Sequence, residues 1–372
     1  MSTLNFGPLD ALLKDDTITE IMVNRFDKVF IERDGKLLPS PQAFPDEAFL
    51  LELIRGIAAN TGREISYTNP FMDSYLADGS RVNATLPPMA PKGATLTIRK
   101  FRKQPFQMQD YLRLGSLTDK AAYFLHACVM ARLNIVVSGG TGTGKTTFLN
   151  ALSGLVPSSE RLISIEDVAE LNLQQPNWVR LESVHVPGRP VVSTRDCLIN
   201  ALRMRPDRIL VGECRRDETF EMLQAMNTGH DGSMTTVHAN SSRDCLTRLE
   251  SLILTSNGGS SVDLPLAALR RQIASAVHLI VQLKRTKTGQ RVVQEIVEVT
   301  GMEQAVITTQ AVFTRDRKKV INQTATTPTT DTTEPLLAAG LVPTFIPRFI
   351  ESGIQLPPNF FDANTKVTYQ PD

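Results

Sequence analysis

One lysine, its threonine neighbours and four glycines form the part of this chain best suited to chemistry on phosphate. The run Ile135-Val136-Val137-Ser138-Gly139-Gly140-Thr141-Gly142-Thr143-Gly144-Lys145-Thr146-Thr147 joins an apolar strand pattern, a glycine-rich turn and a helical pattern continued by Phe148, Leu149 and Leu152. It fits the spacing G-x-x-x-x-G-K-[ST] in the strand–turn–helix setting that gives this P-loop signature its meaning. Glycines let backbone N–H groups close around phosphate oxygens, and the helix N-terminus adds partial positive charge. Lys145 is placed to reach the β- and γ-phosphates, and the Thr146 hydroxyl to ligate Mg²⁺. The pattern implies a bound nucleoside triphosphate, held by residues 139–147.

Carboxylates follow at two places. Ile165-Glu166-Asp167 ends a strand pattern that starts at Arg161, and in parallel sheets ligands gather at the carboxyl ends of strands. Glu166 or Asp167 would there orient or deprotonate an attacking water; an acidic loop end in solvent is the other reading. Arg208-Ile209-Leu210-Val211-Gly212-Glu213 has the form of a Walker B strand, with Glu213 after a glycine in place of the commoner Asp. Such an acid holds Mg²⁺ directly or through water. His230 and His238 bracket a run of small residues ending in Thr235-Thr236-Val237. Two spaced histidines make no metal site without a third ligand, but neutral imidazoles near a phosphate can relay its state by hydrogen bonding. Arginines cluster around the acidic strand (Arg203, Arg205, Arg208, Arg215, Arg216) and in the first hundred residues (Arg81, Arg99, with Arg102 just beyond). Exposed arginines are mostly solvated, yet guanidinium is the natural donor to phosphate.

These groups need a scaffold, and 372 residues suit two domains, each with its own core. Apolar content of 41% and charged content of 21% describe an ordinary globular chain. A net charge of +1 gives no reason to expect a nucleic-acid partner. No signal-peptide pattern opens the chain and no apolar run is long enough to span a membrane. Four widely spaced cysteines argue against structural zinc and a disulfide framework, as expected in the cytoplasm. Residues 1–103 read as a mixed α/β domain: a short helix at 9–13, strands at 20–24 and 28–32, a turn at 34–35, a helix at 47–60, and strands at 73–86 and 94–100. Residues 104–116, with Pro105 and Gly115, read as a linker. From 117 to 308 helices alternate with strands, which argues for a mainly parallel sheet covered on both faces. Residues 309–372 read as an appendage with a mobile Thr-rich loop at 323–335 and an amphipathic stretch at 345–354.

Taken in order, the P-loop, Ile165-Glu166-Asp167, Leu210-Val211-Gly212-Glu213 and Thr228-Gly229-His230…His238-Ala239-Asn240 resemble the Walker A, Asp-box, Walker B and His-box series of the secretion ATPases of type II secretion, type IV pili and type IV secretion. The segments Asp78-Gly-Ser-Arg-Val-Asn-Ala-Thr-Leu-Pro-Pro, Leu96-Thr-Ile-Arg-Lys-Phe, Glu295-Ile-Val-Glu-Val-Thr-Gly-Met-Glu and the tail 337–361 resemble, more narrowly, the CpaF/TadA-type ATPases of Tad (type IVc) pili. The resemblance covers nearly the whole chain. It implies a PAS-like N-domain and a RecA-like ATPase domain, with ATP and Mg²⁺ bound by Gly139, Gly140, Thr141, Gly142, Thr143, Gly144, Lys145, Thr146 and Thr147. It makes Glu166 the catalytic carboxylate, gives Mg²⁺ to Thr146 and Glu213, and places His230 and His238 in the His box. Arg81 and Arg99 would reach nucleotide from the N-domain, and Arg203 and Arg215 would act within the ATPase domain or across a subunit boundary. It further implies a homohexamer at the cytoplasmic face of the inner membrane, held there by pilus platform proteins. The traffic ATPases of type IV secretion share the four boxes and are the alternative. Two departures stand out: the chain begins almost at the N-domain, where many CpaF-type proteins have an extension, and the tetracysteine module of the type II motors is absent.

Overall fold

A computed structural model describes residues 4–33, 35–101, 105–184, 191–255, 265–321 and 334–370. The chain divides into two units, Met1–Gln104 and Pro105–Asp372. In the first unit the helices are α1 (Asp10–Lys14) and α2 (Glu47–Asn60), and the strands β1 (Ile18–Arg25), β2 (Lys28–Arg33), β3 (Lys36–Pro39), β4 (Phe71–Tyr75), β5 (Arg81–Thr85) and β6 (Thr95–Arg99). The strands form one antiparallel sheet in the order β3-β2-β1-β6-β5-β4. Ile21, Val23, Val82, Ala84, Leu96 and Ile98 are buried at alternate positions, the period of a sheet with one covered face. Leu50, Leu53, Ile54 and Ile57 supply the buried stripe of α2, which starts where the Asp46 carboxylate accepts from the Phe49 N–H at 2.8 Å. The strand expected over 73–86 is a hairpin instead. Asp78 Oδ1 accepts from the Ser80 N–H, and Gly79 takes a left-handed φ of 85°, so the chain reverses between β4 and β5. Of the turn expected at 34–35, residue 34 lies outside the described residues.

The second unit contains α3 (Met108–Arg113), α4 (Asp119–Met130), β7 (Ile135–Gly139), α5 (Lys145–Ser153), β8 (Leu162–Glu166), β9 (Trp178–Glu182), α6 (Thr194–Ala201), β10 (Arg208–Cys214), α7 (Glu218–Asn227) and β11 (Met234–Val237). Then come α8 (Ser242–Leu254), α9 (Leu266–Ala276), β12 (Leu279–Arg285), β13 (Arg291–Glu303), β14 (Val306–Thr314), β15 (Leu337–Ala338) and α10 (Ile346–Glu351). All nine strands form one sheet in the order β15-β14-β13-β12-β7-β11-β10-β8-β9. The pairs from β12 to β9 are parallel, and β13, β14 and β15 join antiparallel. The mainly parallel sheet is as expected. Its strands β7 and β8 are buried at every position because helices cover both faces: α4 and α5 on one, α6 to α9 on the other.

Two expected boundaries shift. Within 104–116 the chain forms α3, with Met108 and Tyr111 buried and the Tyr111 ring edge-on to Phe148 at 4.9 Å; Pro105 and Gly115 flank a helix rather than a linker. The stretch from 309 is likewise not separate, since β14 runs through the expected boundary and pairs with β13. Phe313, Phe345, Phe349 and Phe361 then ring Phe124 of α4 with centroids 5.3 to 6.1 Å away. Most of the Thr-rich segment lies outside the described residues.

The amino ends of the parallel strands are tied by buried polar groups. Arg208 is wholly buried and binds both Glu160 oxygens at 2.7 Å and the Val129 carbonyl at 2.7 Å. Gly232 sits so close that a Cβ there would stand 2.6 Å from Arg208 Nη1. The Asn134 side chain accepts from the Gly232 and Ser233 N–H groups and donates to the Met226 and Ala276 carbonyls. His278 Nδ1 accepts from the Asn134 N–H at 2.9 Å, and burial pulls the imidazole pKa down to about 4, keeping that nitrogen an acceptor. Arg208→Ala is therefore expected to destabilise the protein by about 3 kcal/mol, by leaving Glu160 and a carbonyl without their buried donor. Urea denaturation measures this; a loss under about 1 kcal/mol would show that the pair behaves like a surface bridge.

Candidate functional site

The carboxyl ends of β7, β8, β10, β11 and β12 converge on one edge, where the loop between β7 and α5 closes. Its backbone leaves no space for a side chain at Gly139. A Cβ on Gly139 would stand 2.4 Å from Thr143 Oγ1 and 3.1 Å from the Leu283 carbonyl oxygen. Gly142 and Gly144 take φ of 70° and 89°, which aims successive N–H groups into one concavity at the start of α5. Thr143 Oγ1 donates to the Gly140 carbonyl at 2.9 Å, and Lys145 Nζ lies across the loop, 3.3 Å from the same oxygen. Thr146 is half-buried, while Thr141 and Thr147 are exposed.

Glu166 ends β8 on the same carboxyl edge, with β11 and β10 between its strand and β7, and is 3% exposed. Its Oε1 accepts from the Glu170 and Leu171 N–H groups, each at 2.9 Å, while Oε2 is buried without a hydrogen-bond partner. Burial pushes its pKa from 4.5 up to about 7, against the two N–H donors and Arg180. A Cβ at Gly212 would come within 3.1 Å of Glu166 Cγ, so the glycine before Glu213 makes room for the other glutamate. Between Val211 and Cys214 the pairing of β10 with β11 shifts register, a bulge of the kind that re-aims side chains at functional edges. Glu213 in the bulge meets Arg215 at 2.6 Å. Arg215 also approaches Asp167 at 3.8 Å, and Asp167 accepts from Thr194 and Ser183 hydroxyls at 2.7 and 3.0 Å.

The two histidines part company. His238 follows Val237, which pairs with Ser138 of the P-loop strand, so it is at the phosphate edge and exposed. His230 precedes Ser233, whose carbonyl accepts from the Ile135 N–H, at the amino edge of the same strands. Five residues of strand, about 16 Å, separate the two edges. Arg203 is also at the amino edge, exposed in the turn after α6. Within this unit, then, Glu166, Glu213, Arg215 and His238 share the carboxyl edge of the sheet with the P-loop, and His230 and Arg203 do not. Arg81 and Arg99 belong to the first unit, as cross-strand partners on β5 and β6, with Arg81 3.8 Å from Asp73. Arg102 lies outside the described residues. Sequence reasoning missed Arg291, whose Nε donates to the Gly142 carbonyl at 2.9 Å, and Arg285, with Nη1 3.8 Å from where a Gly142 Cβ would be. Arg180 on β9 was missed as well. None of the three belongs to a motif; only the strand pairing brings them in.

The donor set suits Mg²⁺ carried in by phosphates. Among the described residues no group of three or more His, Cys, Asp or Glu is placed to hold a metal alone. An ion that keeps several waters and takes one hydroxyl, one carboxylate and phosphate oxygens needs no such group. Thr146 and Glu213 fit that role.

A family model described as type II/IV secretion system protein matches residues 3–334, and the chain belongs to that family. It is 36% identical over 298 residues to a Mycobacterium tuberculosis protein named for conjugal transfer, covering 78% of this chain and 83% of that one. To the type IV secretion system protein VirB11 of Bartonella quintana it is 32% identical over 317 residues, 75% of this chain and 88% of that one. Among solved structures, the pilus retraction motor PilT with bound ADP matches with a TM-score of 0.56 at 20% identity over 79% of this chain and 82% of that one, a likeness of fold. Family and P-loop together make this chain an ATP hydrolase.

An acid whose pKa is raised by folding keeps its proton in the folded chain where the unfolded chain has lost it. For Glu166 that window runs from 4.5 to about 7. Stability thus falls as pH rises through it, with a cost above pH 7 on the order of 3 kcal/mol at most. Glu166→Gln removes the charge and keeps the shape, so it is expected to melt a few degrees above wild type at pH 8 and level with it at pH 5. Equal melting at pH 8 would mean that the carboxylate is not desolvated.

Proposed function

We propose that this chain hydrolyses ATP by in-line attack of water on the γ-phosphorus and works as a ring-forming motor of a secretion or pilus machine. The observation that carries the chemistry is the buried, unpartnered Oε2 of Glu166 at the phosphate edge. A proton acceptor needs a lone pair not already committed, and a pKa near the working pH; burial to about 7 supplies the second. Lys145 and the loop N–H groups hold the β- and γ-phosphates, and Glu166 orients the water. As the water oxygen bonds to phosphorus, its proton passes to Oε2, and the bond from phosphorus to the β–γ bridging oxygen breaks to release ADP. Bound Mg²⁺ would neutralise charge developing on the phosphate oxygens, with Thr146 and Glu213 as its protein donors. Arg215, now on Glu213 and Asp167, is within one side-chain rearrangement of the same region, and exposed His238 reads the γ-phosphate by hydrogen bonding.

We place the working form as a homohexamer at the cytoplasmic face of the inner membrane, bound through platform proteins. No helix among the described residues is long and apolar enough to cross a membrane. His230 and Arg203, on the edge away from their own P-loop, then serve a neighbouring subunit, as do Arg81 and Arg99. Within the machine class, the segments at 78–88, 96–101, 295–303 and 337–361 favour assembly of a Tad-type pilus. The VirB11 and conjugal-transfer relatives favour a type IV secretion traffic ATPase equally. A chromosomal Lys145→Ala strain separates the two: loss of surface pili selects the first, loss of substrate export with pili intact the second.

Lys145→Ala is expected to lower turnover on the order of 10²-fold or more in a folded protein, because one charge donor to the transferring phosphoryl group is lost. Near-normal hydrolysis would overturn the P-loop assignment. For the arginines the measurement is complementation. Subunits with Lys145→Ala keep their arginines, and subunits with Arg99→Ala keep their P-loop; if Arg99 acts in trans, mixtures recover turnover that neither parent shows. The same crosses apply to Arg81, Arg203 and Arg215. Mixtures that stay inactive in every cross, while wild-type subunits assemble, would make each site self-contained.

A further inference from the structure

Arg180 stands on β9, the strand beside Glu166, and its contacts lead back to that carboxylate. Its Nη2 donates to the Leu171 carbonyl at 2.6 Å, and the Leu171 N–H is one of the two donors on Glu166 Oε1. Its Cζ lies 4.7 Å from the ring centroid of Trp178, and Trp178 is fixed by Nε1 donating to Ser164 Oγ at 2.8 Å. Arg180 Nε is buried without a hydrogen-bond partner and stands 4.0 Å from Glu166 Oε2, itself without one. That gap is too long for a hydrogen bond and too short to admit a water between the two atoms. Opposite charges left this way forfeit a charge-assisted bond that a shift of about 1 Å would form. The guanidinium sits over the indole, and a shift of that size would seat it on the carboxylate. The other charged groups around Glu166 do not offer this. Glu170 and Glu182 are acids, the latter 4.0 Å from Arg180 Nη1, and Arg215 is on Glu213 and Asp167.

We propose that Arg180 is a positioning residue for Glu166, moving from the face of Trp178 onto one lone pair of Oε2 when a Mg-nucleotide fills the P-loop and so aiming the other lone pair at the attacking water. This rests on Glu166 being the proton acceptor. Binding of the nucleotide closes the loop after β8, and Arg180, tied to that loop at Leu171, is carried the last ångström. Its role is to assist chemistry rather than to hold substrate, so its removal lowers kcat and leaves nucleotide affinity in place.

Trp178 is the only tryptophan in the chain, so intrinsic fluorescence of the full-length protein reads this contact directly. The experiment compares wild type, Arg180→Ala, Arg180→Lys and Glu166→Gln, with Mg-ADP and a slowly hydrolysed Mg-ATP analogue as ligands. Wild-type emission is expected to change on saturation with the analogue, and Arg180→Ala to show no such change. Arg180→Ala should lose tenfold or more in kcat with Kd for the analogue within about twofold of wild type, and Arg180→Lys should recover part of the loss. Unchanged wild-type emission, full kcat in Arg180→Ala, or parallel loss of affinity and kcat in both arginine variants overturns the proposal. Failure of its premise shows separately, as full turnover in Glu166→Gln.

Discussion

The backbone of residues 139–145 has to pass close to β12. At Gly139 the carbonyl of Leu283 and the hydroxyl of Thr143 fill the volume a side chain would need. With β12 directly beside β7 and Leu283 opposite Gly139, only a glycine fits at that position. That contact sets the sheet around it. With β12 fixed, its hairpin partner β13 begins at Arg291, whose side chain grips the Gly142 carbonyl, and β14 follows on β13. A phosphate loop usually discussed as a local motif is, in this chain, supported from strands more than a hundred residues later.

The two edges of the large sheet solve opposite problems with the same residue types. At the amino edge Arg208 satisfies its guanidinium with Glu160 and a carbonyl, which locks strand to helix. At the carboxyl edge Arg180 and Glu166 are left one ångström short of the same bond. A fully paired buried charge adds rigidity, whereas an incompletely paired one stores free energy that a ligand can release. The fully paired arrangement is thus at the amino edge, and the incompletely paired one is at the edge that carries the P-loop.

Motifs made the P-loop, Glu166, Glu213 and the parallel sheet legible from sequence, because each is a short stretch whose spacing reflects a local backbone requirement. Helix α2 matched residue for residue, since Asp46 caps it and its apolar stripe has a clear period. What stayed hidden depends on chain reversal or on pairing. The Asp78-Gly79 turn inside an apparent strand is local turn chemistry, whereas α3 inside an apparent linker and β14 across an apparent boundary follow from tertiary burial overriding local composition. Residues Arg180, Arg285 and Arg291 are isolated in sequence, and only strand register takes them to the site. The two histidines show the converse: eight residues apart in one motif, they end on opposite edges because β11 runs straight between them.

Environment, finally, gives the two glutamates different chemistry on one fold. Glu166 is enclosed, accepts two N–H groups on one oxygen and keeps the other uncommitted; such a carboxylate can take up a proton. Glu213, lifted by the bulge after Gly212, reaches solvent and is bonded to a guanidinium; such a carboxylate is suited to a cation. Gly212 ties the roles together. Its lack of a side chain lets Glu166 Cγ pack against the strand, while Thr236 Oγ1 holds its carbonyl at 2.7 Å, fixing the bulge that presents Glu213. A side chain at 212 would press on Glu166 Cγ by a few tenths of an ångström, so the glycine of the Walker-B-like strand is accounted for by its packing against the neighbouring acid.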